Sequence, residues 1–184
     1  MSYSEQLDQL ASNVGEQLAT LHAELDAGTI DTDTFLELAS VLVLLGAAQA
    51  AQLAELSLAA QLAAAGVANP LPESVALPAA REPRIRRALE DALRSPDAAE
   101  RLRMAGRSEP IAAAHEAWES ALPKRSGVVT GYTRGLNIGA CELCTWWHRN
   151  GRKWPAGHPM PSHKGCLCAP VVVVGGRPAR PVVT

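Results

Sequence analysis

The residues best suited to chemistry in this sequence are its cysteines, and all four lie in one 28-residue window. Cys141-Glu-Leu-Cys144 is followed, after eighteen residues, by His163-Lys-Gly-Cys166-Leu-Cys168. Cysteine pairs at this separation bring soft ligands around a single Zn²⁺ ion, which prefers four of them in structural sites. The pattern therefore predicts a structural zinc site, with five candidate ligands for its four positions: Cys141, Cys144, His163, Cys166 and Cys168.

The sequence leaves the ligand set open. Four cysteines form one credible set, in which His163 orients a thiolate from outside the first coordination sphere. Three cysteines with His163 form the other. Two disulfides or buried free thiols are the alternatives without metal. The N-terminus is acidic and polar where a secretory signal would be basic and then apolar, which favours reduced thiols and therefore metal binding.

We do not expect this metal to be catalytic. A catalytic zinc keeps one position open for water and needs an acid or base nearby. Glu142 is the only acidic residue in the last third of the chain, and the sequence has no phosphate-binding glycine loop and no Gly-x-Ser-x-Gly motif. His22 and His115 are interpreted as helix-surface residues. The prediction is a protein without enzymatic activity and without a small-molecule substrate.

Charge changes sign along the chain. Residues 1–80 contain ten acidic residues and no Lys or Arg, whereas residues 120–184 contain nine basic residues and one acidic residue. Such a basic region could meet nucleic acid, an acidic protein surface or the acidic half of its own chain. Four basic residues are predicted to offset the thiolate charge and are also candidates for nucleic-acid contacts: Arg149, Arg152, Lys153 and Lys164.

Helical spacing of leucines predicts a first helix over residues 2–26 and a second over 34–66. Ser2 with Glu5 and Thr34 with Glu37 fit capping boxes at their starts. The second helix is apolar nearly all round, with polar residues scattered around it. We interpret it as buried in a helical hairpin or a subunit interface rather than as a membrane span, because a span needs about twenty apolar residues without interruption.

The expected fold class is α+β, mostly α, with helices followed by a small zinc-stabilised module containing β-strands. Further helices are predicted over 81–94, from Ser95-Pro96-Asp97 to Gly106, and from Ser108-Glu109-Pro110 onward. Strands are predicted near 128–136 and 166–174. The predicted organisation is an acidic helical hairpin, a proline-containing linker, Arg-rich helices, a zinc-binding module and an extended tail: 1–66, 67–80, 81–126, 127–174 and 175–184.

Several segments of the C-terminal half resemble those of one protein family. They are Arg107-Ser-Glu-Pro110, the helix carrying Trp118, Gly131-Tyr-Thr-Arg134, Asn137 to Cys144, and His158 to Cys168. Together, over roughly residues 105–170, they resemble the C-terminal region of MuF-like minor head proteins, the relatives of protein F of bacteriophage Mu, in the form found in phages of actinobacteria. The family pattern is a Cys-x-x-Cys followed by a proline-rich His-x-x-Cys-x-Cys.

The resemblance implies a virion component present in few copies, located inside the capsid at the portal vertex and in the bacterial cytoplasm during assembly. It implies a role in head morphogenesis, with the portal protein as partner and with contact to packaged DNA or its exit as an additional role. A homo-oligomer is a further expectation. The competing hypothesis is a free nucleic-acid-binding zinc protein, based on the basic C-terminal third and on the run from Trp146 to Arg149.

Overall fold

The computed structural model describes residues 1–68 and 70–179. Four helices come first: α1 Tyr3–Asp26, α2 Thr32–Ala64, α3 Arg81–Leu93 and α4 Ala98–Lys124. The C-terminal region contains β1 Val129–Gly135, α5 Glu142–His148, β2 Trp154–Pro155, β3 Ala169–Val174 and β4 Arg177–Pro178. The strands form one antiparallel sheet in the order β2-β1-β3-β4. The predicted fold class, mostly helical with a small β-containing C-terminal region, is confirmed.

The first helix starts at the predicted capping box. Ser2 Oγ accepts the N–H of Glu5 at 3.3 Å, and the Glu5 carboxylate accepts the N–H of Ser2 at 2.6 Å. The start of α2 differs from the prediction, because Asp31 is its N-cap rather than Thr34. The Asp31 carboxylate accepts the N–H of Thr34 at 2.8 Å, so Thr34 already lies inside the helix. An Asp is as effective a cap as the predicted threonine.

The apolar helix α2 is buried on several sides, as predicted. Phe35, Val43, Ala47 and Leu58 are almost completely buried, and α1, α3 and α4 all pack against this helix. By length and composition alone α2 could cross a membrane, but half of its most apolar 18-residue stretch is buried inside the fold. A helix that is buried in the core of a helical fold can be as long and as apolar as a membrane-spanning helix, so this similarity is weak evidence for a membrane span.

The predicted break within the fourth helix is wrong. The helix runs without interruption from Ala98 to Lys124 and includes Pro110 in its interior. Its N-cap is Asp97, not Ser95. Proline removes one backbone hydrogen bond, but Pro110 is buried on the side facing α2, where a Cβ at Gly46 would lie 3.3 Å from its ring. Packing against the neighbouring helix thus outweighs the local signal of Ser108-Glu109-Pro110.

Helices α1 and α4 approach closely at two glycines. A Cβ added to Gly15 would lie 2.8 Å from the carbonyl oxygen of Arg103. A Cβ added to Gly106 would lie 2.7 Å from Leu18 and 3.0 Å from the Cα of Gly15. Neither glycine can gain a side chain without moving the helix backbones apart, so this contact sets the distance between α1 and α4.

Replacing Gly15 with alanine is therefore expected to lower the free energy of unfolding by about 1–3 kcal/mol, the usual cost of overpacking. The loss should appear although alanine favours helix over glycine by about 1 kcal/mol. Urea denaturation followed by circular dichroism measures it. Gly127→Ala is the matched control, because a Cβ there meets no atom within 4 Å. Equal stability of the two variants would contradict the close approach.

One hydrophobic core extends from the helices into the sheet. Leu7 of α1, Leu58 of α2 and Trp118 of α4 belong to it, together with Tyr132 of β1 and Val172 of β3. The core thus includes residues on both sides of the predicted linker. In that linker the N–H of Glu73 binds the Glu55 carboxylate at 3.1 Å, and Arg125 binds the same carboxylate at 2.7 Å.

The sheet is also attached to α2 through one side chain. Gln61 donates from Nε2 to the carbonyl oxygen of Pro170 at 3.2 Å and accepts the N–H of Val172 on Oε1 at 2.9 Å.

The strand prediction for 128–136 is confirmed by β1, whereas β3 begins three residues after the predicted start, at Ala169. The predicted loose tail is partly wrong, because Arg177–Pro178 pair with β3. Residues 180–184 lie outside the described residues.

Candidate metal centre

The structure brings all five predicted ligands into one cluster. The ligand atoms of Cys141, Cys144 and His163 lie within 4.8 Å of one another, and so do those of Cys144, Cys166 and Cys168. Cys144 belongs to both groups and therefore joins them. None of the four cysteines forms a disulfide. The predicted meeting of the two sequence motifs is confirmed, and the cluster could hold a metal ion.

The first cysteine pair is positioned by a turn and a short helix. The N–H of Ala140 donates to the carbonyl of Asn137 at 3.1 Å, and Gly139 adopts the left-handed conformation with φ +78° that glycine accommodates without strain. Cys141 occupies the N-cap position of α5, and Cys144 lies in its first turn. The two residues between the cysteines thus place both thiols on the same side of α5.

The second half of the cluster lies on the turn that leads into β3. The N–H of Cys166 donates to the carbonyl of His163 at 3.0 Å, and Gly165 takes the left-handed conformation at φ +74°. Cys166 and Cys168 are almost completely buried, whereas Cys141 is exposed. The Cys168 thiol donates to the side-chain oxygen of Asn137 at 3.0 Å, so this thiol already has a partner within the protein.

His163 is oriented as a metal-binding histidine is. Its Nε2 lies 3.2 Å from the sulfur atoms of both Cys141 and Cys144. Its Nδ1 lies 3.0 Å from the carbonyl oxygen of Lys164, and the Trp147 ring stacks on its imidazole. A proton on Nδ1 donates to that carbonyl, which leaves the Nε2 lone pair directed at the thiols. A hydrogen bond from the second ring nitrogen is the usual means of fixing a ligand histidine.

A buried arginine provides positive charge next to the thiols. Arg134 of β1 is only 2% exposed, and its guanidinium lies 3.7 Å from the sulfur atoms of both Cys144 and Cys166. It also donates to the carbonyl of Pro161 and faces the Trp147 ring. Thiolates gathered around a divalent ion leave net negative charge, which a cation at this position offsets. Sequence reasoning missed Arg134; the available signal was an arginine within a predicted strand.

The four basic residues predicted for charge compensation make other contacts or are exposed. Arg149 stacks on the exposed Trp146 ring at 4.8 Å and Arg152 on Trp154 at 4.3 Å. Lys153 donates to the carbonyl of Gly176, and Lys164 is exposed. Arg134 is thus the basic residue whose guanidinium contacts the thiol sulfurs, and charge compensation by the four predicted residues stays a prediction. The nucleic-acid contacts predicted for these residues stay a prediction.

The interpretation of His115 and His22 as helix-surface residues is wrong, since both are only 9% exposed. Nε2 of His115 lies 2.7 Å from the carbonyl oxygen of Cys166, so α4 contacts the metal centre through this imidazole. The signal was its spacing: His115 lies four residues after Ile111 and three before Trp118, on the apolar side of the helix. His22 is paired with Asp26 at 3.3 Å.

Hydrogen bonding and burial shift the thiol pKa values of the cysteines in opposite directions. The Cys168 thiol proton is shared between Asn137 and the Cys166 sulfur, which lowers the pKa of the Cys166 thiol; the same interaction, with burial, raises the pKa of Cys168. Burial raises the pKa of Cys144 to about 12. Binding of a metal ion to Cys144 must therefore displace its proton, so occupancy of the centre depends on pH.

The donor atoms indicate the class of ion. Thiolate and imidazole suit borderline and soft ions such as Zn²⁺, whereas Mg²⁺ and Ca²⁺ prefer oxygen ligands. Comparisons of this chain with family models, curated proteins and solved structures find no match.

Proposed function

We propose that the centre holds one structural Zn²⁺ through Cys141, Cys144, His163 and Cys166. Tetrahedral zinc, with bonds of about 2.3 Å to sulfur and about 2.0 Å to nitrogen, spaces its donors about 3.5–3.8 Å apart. In the cluster, His163 Nε2 lies 3.2 Å from the sulfur atoms of Cys141 and Cys144, and the Cys144 sulfur lies 3.5 Å from that of Cys166. Cys166 is joined to the other two proposed ligands through Cys144, which belongs to both groups of ligand atoms. Cys168 is the fifth candidate, and its sulfur lies within 4.8 Å of those of Cys144 and Cys166. We assign it a place outside the first coordination sphere because its thiol donates to Asn137.

Substitutions separate the two possible ligand sets. Cys144→Ser is expected to abolish stoichiometric zinc binding, and His163→Ala to weaken it strongly, whereas Cys168→Ser should keep one zinc per chain. Elemental analysis of the purified variants, together with the absorption spectrum of the cobalt-substituted protein, measures this. Loss of zinc in Cys168→Ser with retention in His163→Ala would instead establish the four-cysteine set.

We further propose that the protein is a minor head protein of a bacteriophage, associated with the portal inside the capsid and acting in head morphogenesis. The supporting observation is that four of the five resembling segments contribute to one centre, the exception being Arg107-Ser-Glu-Pro110. The two cysteine motifs supply the ligands, Gly131-Tyr-Thr-Arg134 supplies the buried cation, and the helix carrying Trp118 supplies His115. In this view the metal fixes the shape of a docking surface and takes part in no reaction.

Two measurements test this function. Mass spectrometry of purified virions should detect the chain at few copies, and the chain should co-purify with the coexpressed portal protein. Cys144→Ser should lose the portal interaction if the metal-stabilised region makes the contact. A chain that is absent from virions and does not bind the portal would contradict the proposal, whatever its zinc content.

The second candidate is a nucleic-acid-binding zinc protein. It is favoured by the Arg149–Trp146 and Arg152–Trp154 stacks, which combine a cation with a surface on which bases can stack. Titration of DNA binding against salt distinguishes the candidates, because each phosphate contact contributes a slope of roughly 0.9 in the log–log plot. For a true nucleic-acid interface, Arg149→Ala should reduce that slope by about 1. No binding at physiological salt would exclude this candidate.

A further inference from the structure

The five sulfur and nitrogen donors of the candidate metal centre fall into two groups of three rather than one group of four. Cys141, Cys144 and His163 form the first, here called the outer group. Cys144, Cys166 and Cys168 form the second, here called the inner group. Within each group all ligand atoms lie within 4.8 Å of one another. A single Zn²⁺ ion bound as proposed above uses four of these donors and leaves Cys168 without a role as a ligand.

The two groups differ in exposure and share one atom. In the outer group Cys141 is exposed, and Nε2 of His163 lies 3.2 Å from both sulfur atoms. The inner group is almost completely buried, and 3.5 Å separates the sulfur atoms of Cys144 and Cys166. The Cys144 sulfur belongs to both groups. A thiolate sulfur has more than one lone pair, so this single atom can bind two soft ions at once.

The number of donors in each group matches an ion with a lower coordination number than zinc. Structural Zn²⁺ takes four donors in a tetrahedron. Cu⁺ is a softer ion that thiolate ligands select, and as a monovalent ion it is satisfied by three donors in a plane. At bond lengths of about 2.0–2.3 Å, three donors around one ion lie roughly 3.5–4.0 Å apart. The separations of 3.2 Å and 3.5 Å within the two groups differ from this spacing by only a few tenths of an ångström.

The charge of the centre permits both groups to be filled together. Four thiolates around two monovalent ions carry the same net charge as four thiolates around one Zn²⁺ ion. The buried guanidinium of Arg134 lies 3.7 Å from the sulfur atoms of Cys144 and Cys166, and therefore beside the sulfur that the two groups share. Cys168 must release the proton that it donates to Asn137 when it binds an ion. Filling both groups thus requires no more negative charge than a zinc site made of four cysteines.

We propose that this centre also binds two Cu⁺ ions, one in the outer group and one in the inner group, with the Cys144 sulfur shared between them. The ions stay in the +1 state, and the thiol protons pass to solvent as the copper–sulfur bonds form. The inference rests on the metal-binding role proposed above and uses the same five donors, but it does not depend on which four of them hold zinc. It gives Cys168 a function as a ligand.

Native mass spectrometry of the zinc-loaded protein, treated with Cu⁺ without oxygen, tests the stoichiometry. Each chain should bind two Cu⁺ ions and release its single Zn²⁺ ion, which a chromophoric zinc indicator measures. In a separate titration of the reduced, metal-free chain, the thiolate-to-copper absorption should stop rising at two equivalents of Cu⁺, whereas Zn²⁺ should saturate the chain at one. X-ray absorption at the copper edge should show a copper–copper contact, because two ions that share one sulfur atom lie close together.

Cys168→Ser removes one donor from the inner group and none from the outer group. In the presence of a competing Cu⁺ chelator, at a concentration that leaves two ions on the wild type, this variant should keep one Cu⁺ ion and lose the copper–copper contact. It should still bind one Zn²⁺ ion. His158→Ala is the matched control, because this imidazole belongs to neither group and its Nδ1 lies 2.7 Å from the carbonyl oxygen of Pro159. The control should bind two Cu⁺ ions, and circular dichroism checks that both variants keep their helices.

The outcomes separate this inference from the zinc proposal. One Cu⁺ ion per wild-type chain would overturn the inference, and so would three or more, because the two groups have room for two. Two Cu⁺ ions retained by Cys168→Ser against the chelator would also overturn it. If the wild type binds one Cu⁺ in the first titration and one Zn²⁺ in the second, only the inference fails. If it binds two Cu⁺ ions but no Zn²⁺, only the zinc proposal fails.

Discussion

Removal of the metal with a chelator is expected to unfold α5 and the loops around it while leaving α1 to α4 folded. Between β1 and β3 the chain has little core of its own, because Cys144, Cys166 and Cys168 form a separate small cluster with Ala140 and Trp147. Structural zinc contributes on the order of 10–16 kcal/mol to such modules. The helices, by contrast, are stabilised by two larger hydrophobic clusters that include no metal ligand.

Hydrogen exchange measures this outcome locally. Amides of α5 and of the turn at Gly165 should lose protection on chelation, whereas those of α1, α2 and α4 should keep theirs. Strands β1 and β3 should respond less than α5, because Tyr132 and Val172 belong to the helical core. Adding Zn²⁺ back should restore protection, and Mg²⁺ should not. Unchanged exchange in α5 after the metal is removed would contradict a structural role for the ion.

Replacing Arg134 with methionine is expected to weaken zinc binding by about 10- to 100-fold, the usual effect of losing a group that supports the ligands. Methionine occupies similar space without charge, so the thiolates near Cys144 and Cys166 would lose the cation that lies 3.7 Å from both sulfur atoms. Removing one member of a buried charge pair also lowers stability, by about 3–5 kcal/mol. Competition with a chromophoric chelator measures the affinity.

Arg152→Met is the matched control for this substitution, since Arg152 is exposed and stacks on Trp154 in the same region. It should bind zinc as the wild type does. Arg134→Lys should lie between the two, because lysine keeps the charge but cannot reach both sulfur atoms and the Pro161 carbonyl with one planar group. Unimpaired binding in Arg134→Met with weaker binding in Arg152→Met would restore surface cations as the charge partners.

Local patterns in the sequence predicted the elements that depend on local interactions. The Ser2–Glu5 capping box, the strand at 129–135 and the two cysteine motifs are each contained in a few consecutive residues. The uninterrupted α4 was not predictable in this way, because the burial of Pro110 against α2 involves residues more than sixty positions apart. Packing between α2 and α4 thus outweighed the helix-start signal at Ser108-Glu109-Pro110.

The centre was predictable in its ligands but not in their surroundings. Spacing identifies the five residues, since Cys-x-x-Cys and His-x-x-Cys-x-Cys are metal-binding patterns wherever they fold. Selection among them depends on hydrogen bonds that the spacing does not predict, such as Cys168 to Asn137 and His163 to the carbonyl of Lys164. His115 and Arg134 reach the cluster from α4 and β1, so their roles required the arrangement of those elements.

The side-chain amide of Gln61 forms the same pair of hydrogen bonds with β3 that a peptide group of a neighbouring strand would form. It offers a donor and an acceptor to the carbonyl of Pro170 and the N–H of Val172, which both point away from β1. Shifting β3 by one residue would turn these groups to the other side of the strand. The Gln61 amide therefore supports the register in which β3 pairs with β1, and it ties α2 to the strand that directly follows Cys166 and Cys168.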